Sequence, residues 1–175
     1  ILKETLEKEG YVYKSETDSE TFLVLVTKYY GEYKDIKKAI VESFKEIRGN
    51  SSFVIMSRFD NNIYSIRRAA PLVVGENQEN HEVFASSDPY ALVGFTTDIY
   101  FPEDEVLCES VCEKGKLKTN FYDLELHNSN KYTKQVKEVE LAVVAKGNYE
   151  HFMLKEIHEQ PKLIKNLLDY YRTYQ

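Results

Sequence analysis

Few residues in this chain have types and spacings that could do chemistry. Four histidines (His81, His127, His151 and His158) and two cysteines (Cys108 and Cys112) stand among 29 Asp and Glu. On a helical reading His151 and His158 lie two turns apart, with Glu156 and Glu159 near them. A zinc-binding helix needs two His four residues apart with a Glu between them. That spacing is absent, so the pair reads as a solvated helix face and no metal is expected. Two thiols without a pair of well-spaced histidines are also too few for a structural zinc site. On a strand Cys108 and Cys112 would sit about 13 Å apart, too far for a disulfide, so two reduced, half-buried thiols are expected. There is no Gly-rich phosphate loop and no G-x-S-x-G nucleophile elbow. Among the carboxylates Asp18 stands apart, inside Ser15-Glu16-Thr17-Asp18-Ser19-Glu20 and just ahead of an apolar run. A carboxylate there either caps a helix or faces a pocket and pairs with a ligand ammonium, and the spacing leaves both open.

The elements that must position these groups belong to an ordinary globular composition. The chain has 175 residues, 42% apolar and 30% charged, enough for one real core and one domain with room for an appendage. A formal charge of −6 and a pI near 5.3 argue against a phosphate backbone as partner. The only dense basic patches, Lys34–Lys38 and Lys114–Lys118, are both interrupted. The longest apolar run, Phe22 to Val26, is far short of the ~20 residues of a membrane span. No charged-then-apolar leader precedes it, so neither membrane nor secretion is expected, and the reduced thiols suit a cytoplasmic protein.

Residues Leu2 to Glu9 read as a helix stopped by Gly10, then Tyr11–Tyr13 as a short strand. Thr17 or Asp18 can cap the next helix, Ser19 to Tyr30, with Thr17 and Glu20 forming a capping box. That helix is largely apolar and should be well buried. A second, Tyr33 to Ile47, puts Ile36, Ile40, Phe44 and Ile47 on one stripe and ends at Gly49-Asn50. Phe53–Met56 and Ile63–Ile66 flank Asp60-Asn61-Asn62 as a hairpin. Strands follow at Pro71–Gly75, Glu82–Ala85, Asp98–Phe101, Glu105–Glu113 and Lys116–Glu125, with Lys114-Gly115 as the last turn. Asp88 caps a short helix, Pro89 to Val93. His127–Lys134 reads as loop, and Val136–Ala145 fits neither period. Two helices, Tyr149–Glu159 and Pro161–Tyr174, close the chain. A mostly antiparallel sheet with helices laid against it is an α+β layered domain.

Three stretches carry a resemblance. Ser15-Glu16-Thr17-Asp18-Ser19-Glu20 resembles the S-E-T-D-[ST]-E segment of class II glutamine amidotransferases. Arg67 to Gly75, followed by Val83 to Asp88, is similar to their R-x-x-S-P-L-x-x-G … F-A-S-D pattern, except that Ala69-Ala70 replaces Gly-Ser before Pro-Leu. His151 to Pro161 resembles the F-M-x-K-E-I-x-E-Q-P link between the two halves of glutamine–fructose-6-phosphate aminotransferases, the glucosamine-6-phosphate synthases. The three occur in the family's order and span essentially the whole chain.

The resemblance implies an αββα sandwich of the N-terminal-nucleophile type, here incomplete, followed by C-terminal linker helices. Residues 1–145 would be the later part of a glutaminase domain, and 146–175 the interdomain linker with the first helix of a sugar isomerase domain. The implied activity moves glutamine-derived ammonia to fructose 6-phosphate, giving glucosamine 6-phosphate and glutamate, without a cofactor. Asp18 matches the family carboxylate that binds the α-amino group of L-glutamine. The family's nucleophile is its first residue, a Cys, where this chain has Ile1. The Arg that grips the substrate carboxylate and the Asn-Gly oxyanion element also fall before this point in the family. The chain alone is therefore expected to have no catalytic residue and not to hydrolyse glutamine. Fructose 6-phosphate would be met through an isomerase domain absent from these residues, in a homo-oligomer. Lys155, Glu156 and Glu159 are candidate contacts across the joint, or else part of a solvated helix salt-bridged from Lys155 to Glu159. The competing readings are a non-catalytic scaffold or regulatory subunit of amidotransferase fold, and an amidotransferase acting on another sugar phosphate.

Overall fold

Hydrophobic periodicity changes along the chain from helical to alternating, and the architecture follows it. The computed structural model describes residues 2–58, 60–136 and 147–173. It divides into two compact units, Ile1–Lys137 and Glu138–Gln175. In the first unit, helices α1 (Leu2–Lys8), α2 (Asp18–Tyr33) and α3 (Ile36–Glu46) precede strands β1 (Ser51–Met56), β2 (Ile63–Arg68), β3 (Val73–Asn77) and β4 (Glu82–Ser86). A 3₁₀ turn (Pro89–Leu92) is followed by β5 (Asp98–Pro102), β6 (Leu107–Glu113), β7 (Lys116–Tyr122) and β8 (Tyr132–Val136). Two four-stranded antiparallel sheets result, in the orders β1-β2-β6-β7 and β4-β3-β5-β8.

The core lies in layers. Phe22 and Val26 of α2 and Ile40 and Phe44 of α3 pack on Tyr64, Ile66 and Leu107 of the first sheet. Phe22 stacks on Phe53 at 3.8 Å between ring centroids. Val74, Cys108 and Phe121 fill the space between the sheets. On the outer face of the second sheet, Val73 and Ile99 meet Leu92 of the 3₁₀ turn. The fold is α+β, with two stacked antiparallel sheets and a helical hairpin over the first.

Local chemistry sets the boundaries. α1 stops at Gly10, whose φ of 97° suits glycine alone, with Tyr11 N–H donating to the Leu6 carbonyl at 3.1 Å. Lys34, at φ 55°, breaks the helical run, and Asp35 caps α3 by accepting from Lys38 N–H at 3.1 Å. The second helix therefore starts at Ile36, and Tyr33 belongs to α2. The Asp60 side chain accepts from Asn62 N–H at 3.0 Å within the β1–β2 connection. Asp88 accepts from Tyr90 N–H at 2.8 Å, with Pro89 at the first position of the 3₁₀ turn.

Several expectations are corrected. Tyr11–Tyr13 pairs with no strand among the described residues, and Val12 is exposed. α2 buries Phe22, Leu25 and Val26 but leaves Leu23 61% exposed, so it is half-buried rather than enclosed. The end of the 127–134 segment is strand: Tyr132–Lys134 open β8, where Tyr132 stacks on Phe121 at 3.8 Å and Lys134 pairs with Asp98 at 3.0 Å. Those contacts are long-range, which local polarity cannot reveal. The thiols differ from each other: Cys108 is buried and Cys112 exposed, both free on β6. The 136–145 segment lies outside the described residues beyond Val136.

In the second unit a single helix, α4 (Phe152–Thr173), replaces the expected two, running through Pro161. Leu154, Ile157, Ile164, Leu167 and Tyr171 keep an unbroken helical spacing across the proline. The stripe is exposed among the described residues.

Candidate functional site

The site is built where the two ends of the helical hairpin meet. A two-residue connection, Lys34-Asp35, brings the start of α2 beside the end of α3. Between them, α1 and the edge strand β1 bound a cleft of about 860 Å³. Its lining includes Lys3 of α1, Asp18 and Thr21 of α2, and Arg48, Asn50 and Ser51 of the link into β1. That size falls within the usual range of small-molecule sites.

Asp18 is the first residue of α2, following the extended Thr17 at φ −81° and ψ 141°. The approach to it is fixed by Glu20, which reaches backward. Its carboxylate accepts from Lys14 N–H at 2.8 Å, Ser15 N–H at 2.6 Å and Ser15 Oγ–H at 2.6 Å. The expected capping box is thus displaced: Glu20 serves Lys14 and Ser15 rather than Thr17, and the Thr17 side chain makes no cap bond. The Ser15 hydroxyl and the Lys14 amide hold the Glu20 carboxyl below its ordinary value. Asp18 is exposed. Among the described residues its carboxylate has no hydrogen-bond or ion-pair partner. A carboxylate left open at the positive end of a 16-residue helix is available to pair with a ligand cation.

The other charges at the cleft are mostly engaged. Lys3 pairs with Glu16 at 3.3 Å and lies 4.9 Å from the Tyr13 ring centroid. Glu46 accepts from the Tyr29 hydroxyl. Arg48, like Asp18, has no ion pair among the described residues. Ser51 Oγ is buried without a hydrogen-bond partner there. Asp18, singled out by its motif, lines the cleft, as do Arg48 and Ser51, which the sequence did not single out. The signal available for them was Gly49, whose φ of 88° ends the link and turns it toward β1.

The remaining candidates lie elsewhere. Burial pushes the Cys108 thiol up to about 12, the opposite of what an attacking thiolate needs. Cys112 pairs opposite Leu117 in the β6–β7 ladder. Neither thiol lines the cleft. Lys155 and Glu159 of α4 form an i,i+4 ion pair at 3.8 Å, and His158 stacks on Tyr149 at 5.3 Å. Among the described residues no group of three or more His, Cys, Asp or Glu is placed to hold a metal ion, and no helix is long and apolar enough to cross a membrane.

With this geometry, comparison with known proteins is specific. The glutamine–fructose-6-phosphate aminotransferase (isomerising) of Methanothermobacter thermautotrophicus is 34% identical over 170 residues, covering 95% of this chain and 27% of the relative. That of Caldanaerobacter subterraneus subsp. tengcongensis is 37% identical over 169 residues, covering 95% and 26%. The chain is homologous to glutamine–fructose-6-phosphate aminotransferases. It spans about a quarter of the length of the relatives it matches, with 27% and 26% of these two covered. No family model matches it. Among solved structures, the glutamine phosphoribosylpyrophosphate amidotransferase from B. subtilis, complexed with ADP and GMP, superposes with a TM-score of 0.56. The match covers 73% of this chain and 27% of that one at 18% identity. That likeness shows a shared fold over those residues.

Proposed function

We propose that this chain is the later part of the glutaminase half of a glucosamine-6-phosphate synthase, the enzyme that moves the amide nitrogen of L-glutamine to fructose 6-phosphate. Asp18 binds the α-ammonium of glutamine in the cleft between α1, α2 and the link after α3. The observation that carries this reading is an open Asp18 carboxylate at the cleft, within a chain homologous to these aminotransferases over 95% of its length. A charge-assisted N–H···O bond at that position contributes about 3 kcal/mol, roughly a hundredfold in affinity.

On this reading the two sheets belong to an αββα sandwich of the N-terminal-nucleophile type. Among the described residues β1 is an edge strand and its Val54 and Met56 side chains are 53% and 79% exposed, which supports a larger sandwich over a self-contained scaffold. Neither Cys108 nor Cys112 serves as the nucleophile, so the reacting thiol belongs to another part of the protein. Residues 146–175 form the interdomain linker and the first isomerase helix, with Lys155, Glu156 and Glu159 at the joint. The sugar acceptor is bound by an isomerase domain, in a cytoplasmic homo-oligomer.

The test uses the full-length polypeptide that carries these residues. Asp18→Ala is expected to abolish glutamine-dependent formation of glucosamine 6-phosphate while sparing ammonia-dependent formation. Unchanged glutamine kinetics in Asp18→Ala would remove the assignment.

A further inference from the structure

One residue outside the cleft meets both ends of its wall, by its side chain at one end and its backbone at the other. The wall is the short link from Ile47 to Ser51, which contributes Arg48, Asn50 and Ser51 to the cleft. Its glycine, Gly49, meets nothing within 4 Å of where a Cβ would stand, so the link is not packed from outside at its centre. It is fixed at its two ends, and both ends lead to Arg68. The Arg68 backbone is the ladder partner of Ser51 at the start of β1. The Arg68 guanidinium donates through Nη1 to the carbonyl of Ile47, the residue that closes α3. The same guanidinium donates from Nε to Glu105 at 2.8 Å and lies 4.5 Å from the centroid of Phe44. A cation on the last carbonyls of a helix is favourable in itself. Here it also sets where the link departs.

We infer that Arg68 is a positioning residue for the cleft, fixing the Ile47–Ser51 wall at the distance from Asp18 that the ligand requires. This rests on the reading of the cleft as the glutamine site. The Arg68 side chain acts on the link through the Ile47 carbonyl, while its backbone pairs with Ser51 in the ladder. Arg67, its neighbour, is engaged elsewhere, with Asp104 at 2.9 and 2.6 Å, and cannot substitute for it. A planar fork that donates in two directions while stacking on a ring is a task for arginine; lysine keeps the charge but not the fork.

The experiment measures two things on the full-length protein: amide hydrogen exchange at residues 48–51, and KM and kcat for L-glutamine hydrolysis. Arg68→Ala is expected to speed exchange at 48–51 at least tenfold, with β6 and β7 unchanged. KM for glutamine is expected to rise about tenfold with kcat held within about twofold, as for a lost binding geometry. Arg68→Lys is expected to recover part of both, and serves if Arg68→Ala does not fold. Exchange at 48–51 that rises no more than in β6 and β7, or an unchanged KM beside faster exchange, would overturn the inference. The glutamine reading has its own control: if Asp18→Ala leaves KM unchanged, that reading fails. The exchange result would still decide whether Arg68 holds the link.

Discussion

At the scale of single residues the chain separates groups left open from groups that are satisfied. Asp18 has no protein partner among the described residues, whereas Glu20, two positions on, accepts three hydrogen bonds and shapes the approach. The motif drew attention to Asp18 but could not show this division of labour, because Glu20 reaches past the expected cap to Lys14 and Ser15. The thiols divide in the same way. Burial raises the Cys108 thiol to about 12 while Cys112 is exposed, so Ellman's reagent at pH 8 should label Cys112 and leave Cys108 unmodified in the native protein, and label both in denaturant. Labelling of Cys108 in the native protein would contradict its placement between the sheets. Ala69 is held at φ 50°, with its N–H donating to Asp104 Oδ2 at 3.0 Å. A left-handed alanine costs roughly 1–2 kcal/mol, partly offset by the entropy glycine would lose. Ala69→Gly is therefore expected to be neutral or to stabilise by up to about 1 kcal/mol, read from the denaturation midpoint. The Gly usual at this place in the resembling motif fits the same backbone.

At the scale of elements, the close approaches are as informative as the caps. A Cβ at Gly75 would stand 2.7 Å from Thr96 Cγ2 and 3.0 Å from Leu92 Cδ1, because the 3₁₀ turn lies directly on β3. Gly75→Ala is expected to cost about 1–3 kcal/mol in chemical denaturation, with the 3₁₀ turn displaced. A neutral variant would mean that the turn packs loosely. Strands β1 to β7 and the α3 stripe of Ile36, Ile40, Phe44 and Ile47 were legible, since their periodicity and turn residues are local. The failures share a cause. Tyr11–Tyr13 has strand composition but no strand to pair with among the described residues, and Tyr132–Lys134 has loop composition but a partner in β5. Pro161 reads as a helix start, yet an apolar stripe on both sides of it continues one helix. In each case the deciding contact is distant in sequence or spread over several turns. The cleft was invisible for the same reason: Asp18 and Arg48 come together only through the α2–α3 hairpin.

At the scale of the whole molecule, two stacked sheets and one helical hairpin place the open carboxylate at the end of the layers where α2 begins and α3 ends. The electrostatics of the fold favour neutral pH. Asp104 is buried enough to raise its carboxyl, but the Ala69 N–H and the Arg67 guanidinium outweigh that and hold it low. Glu20 is lowered chiefly by Ser15, and Asp123 by the His127 amide. A carboxyl lowered in the folded state contributes stability above its unfolded value near about 4 and loses it as pH falls through the lower folded value. Thermal stability is therefore expected to drop as pH is lowered below about 4, with a flatter acid limb in Asp104→Asn; an identical limb in that variant would count against the Arg67–Asp104 clamp. The central claim concerns the nitrogen of glutamine, and isotope tracing tests it most directly. The full-length protein would be given L-glutamine labelled with ¹⁵N in the amide, together with fructose 6-phosphate. The label is expected in the amino group of glucosamine 6-phosphate, with unlabelled glutamate formed in equal amount, and neither product is expected to form from glutamine with Asp18→Ala. Glutamine recovered intact from the wild-type reaction would contradict it.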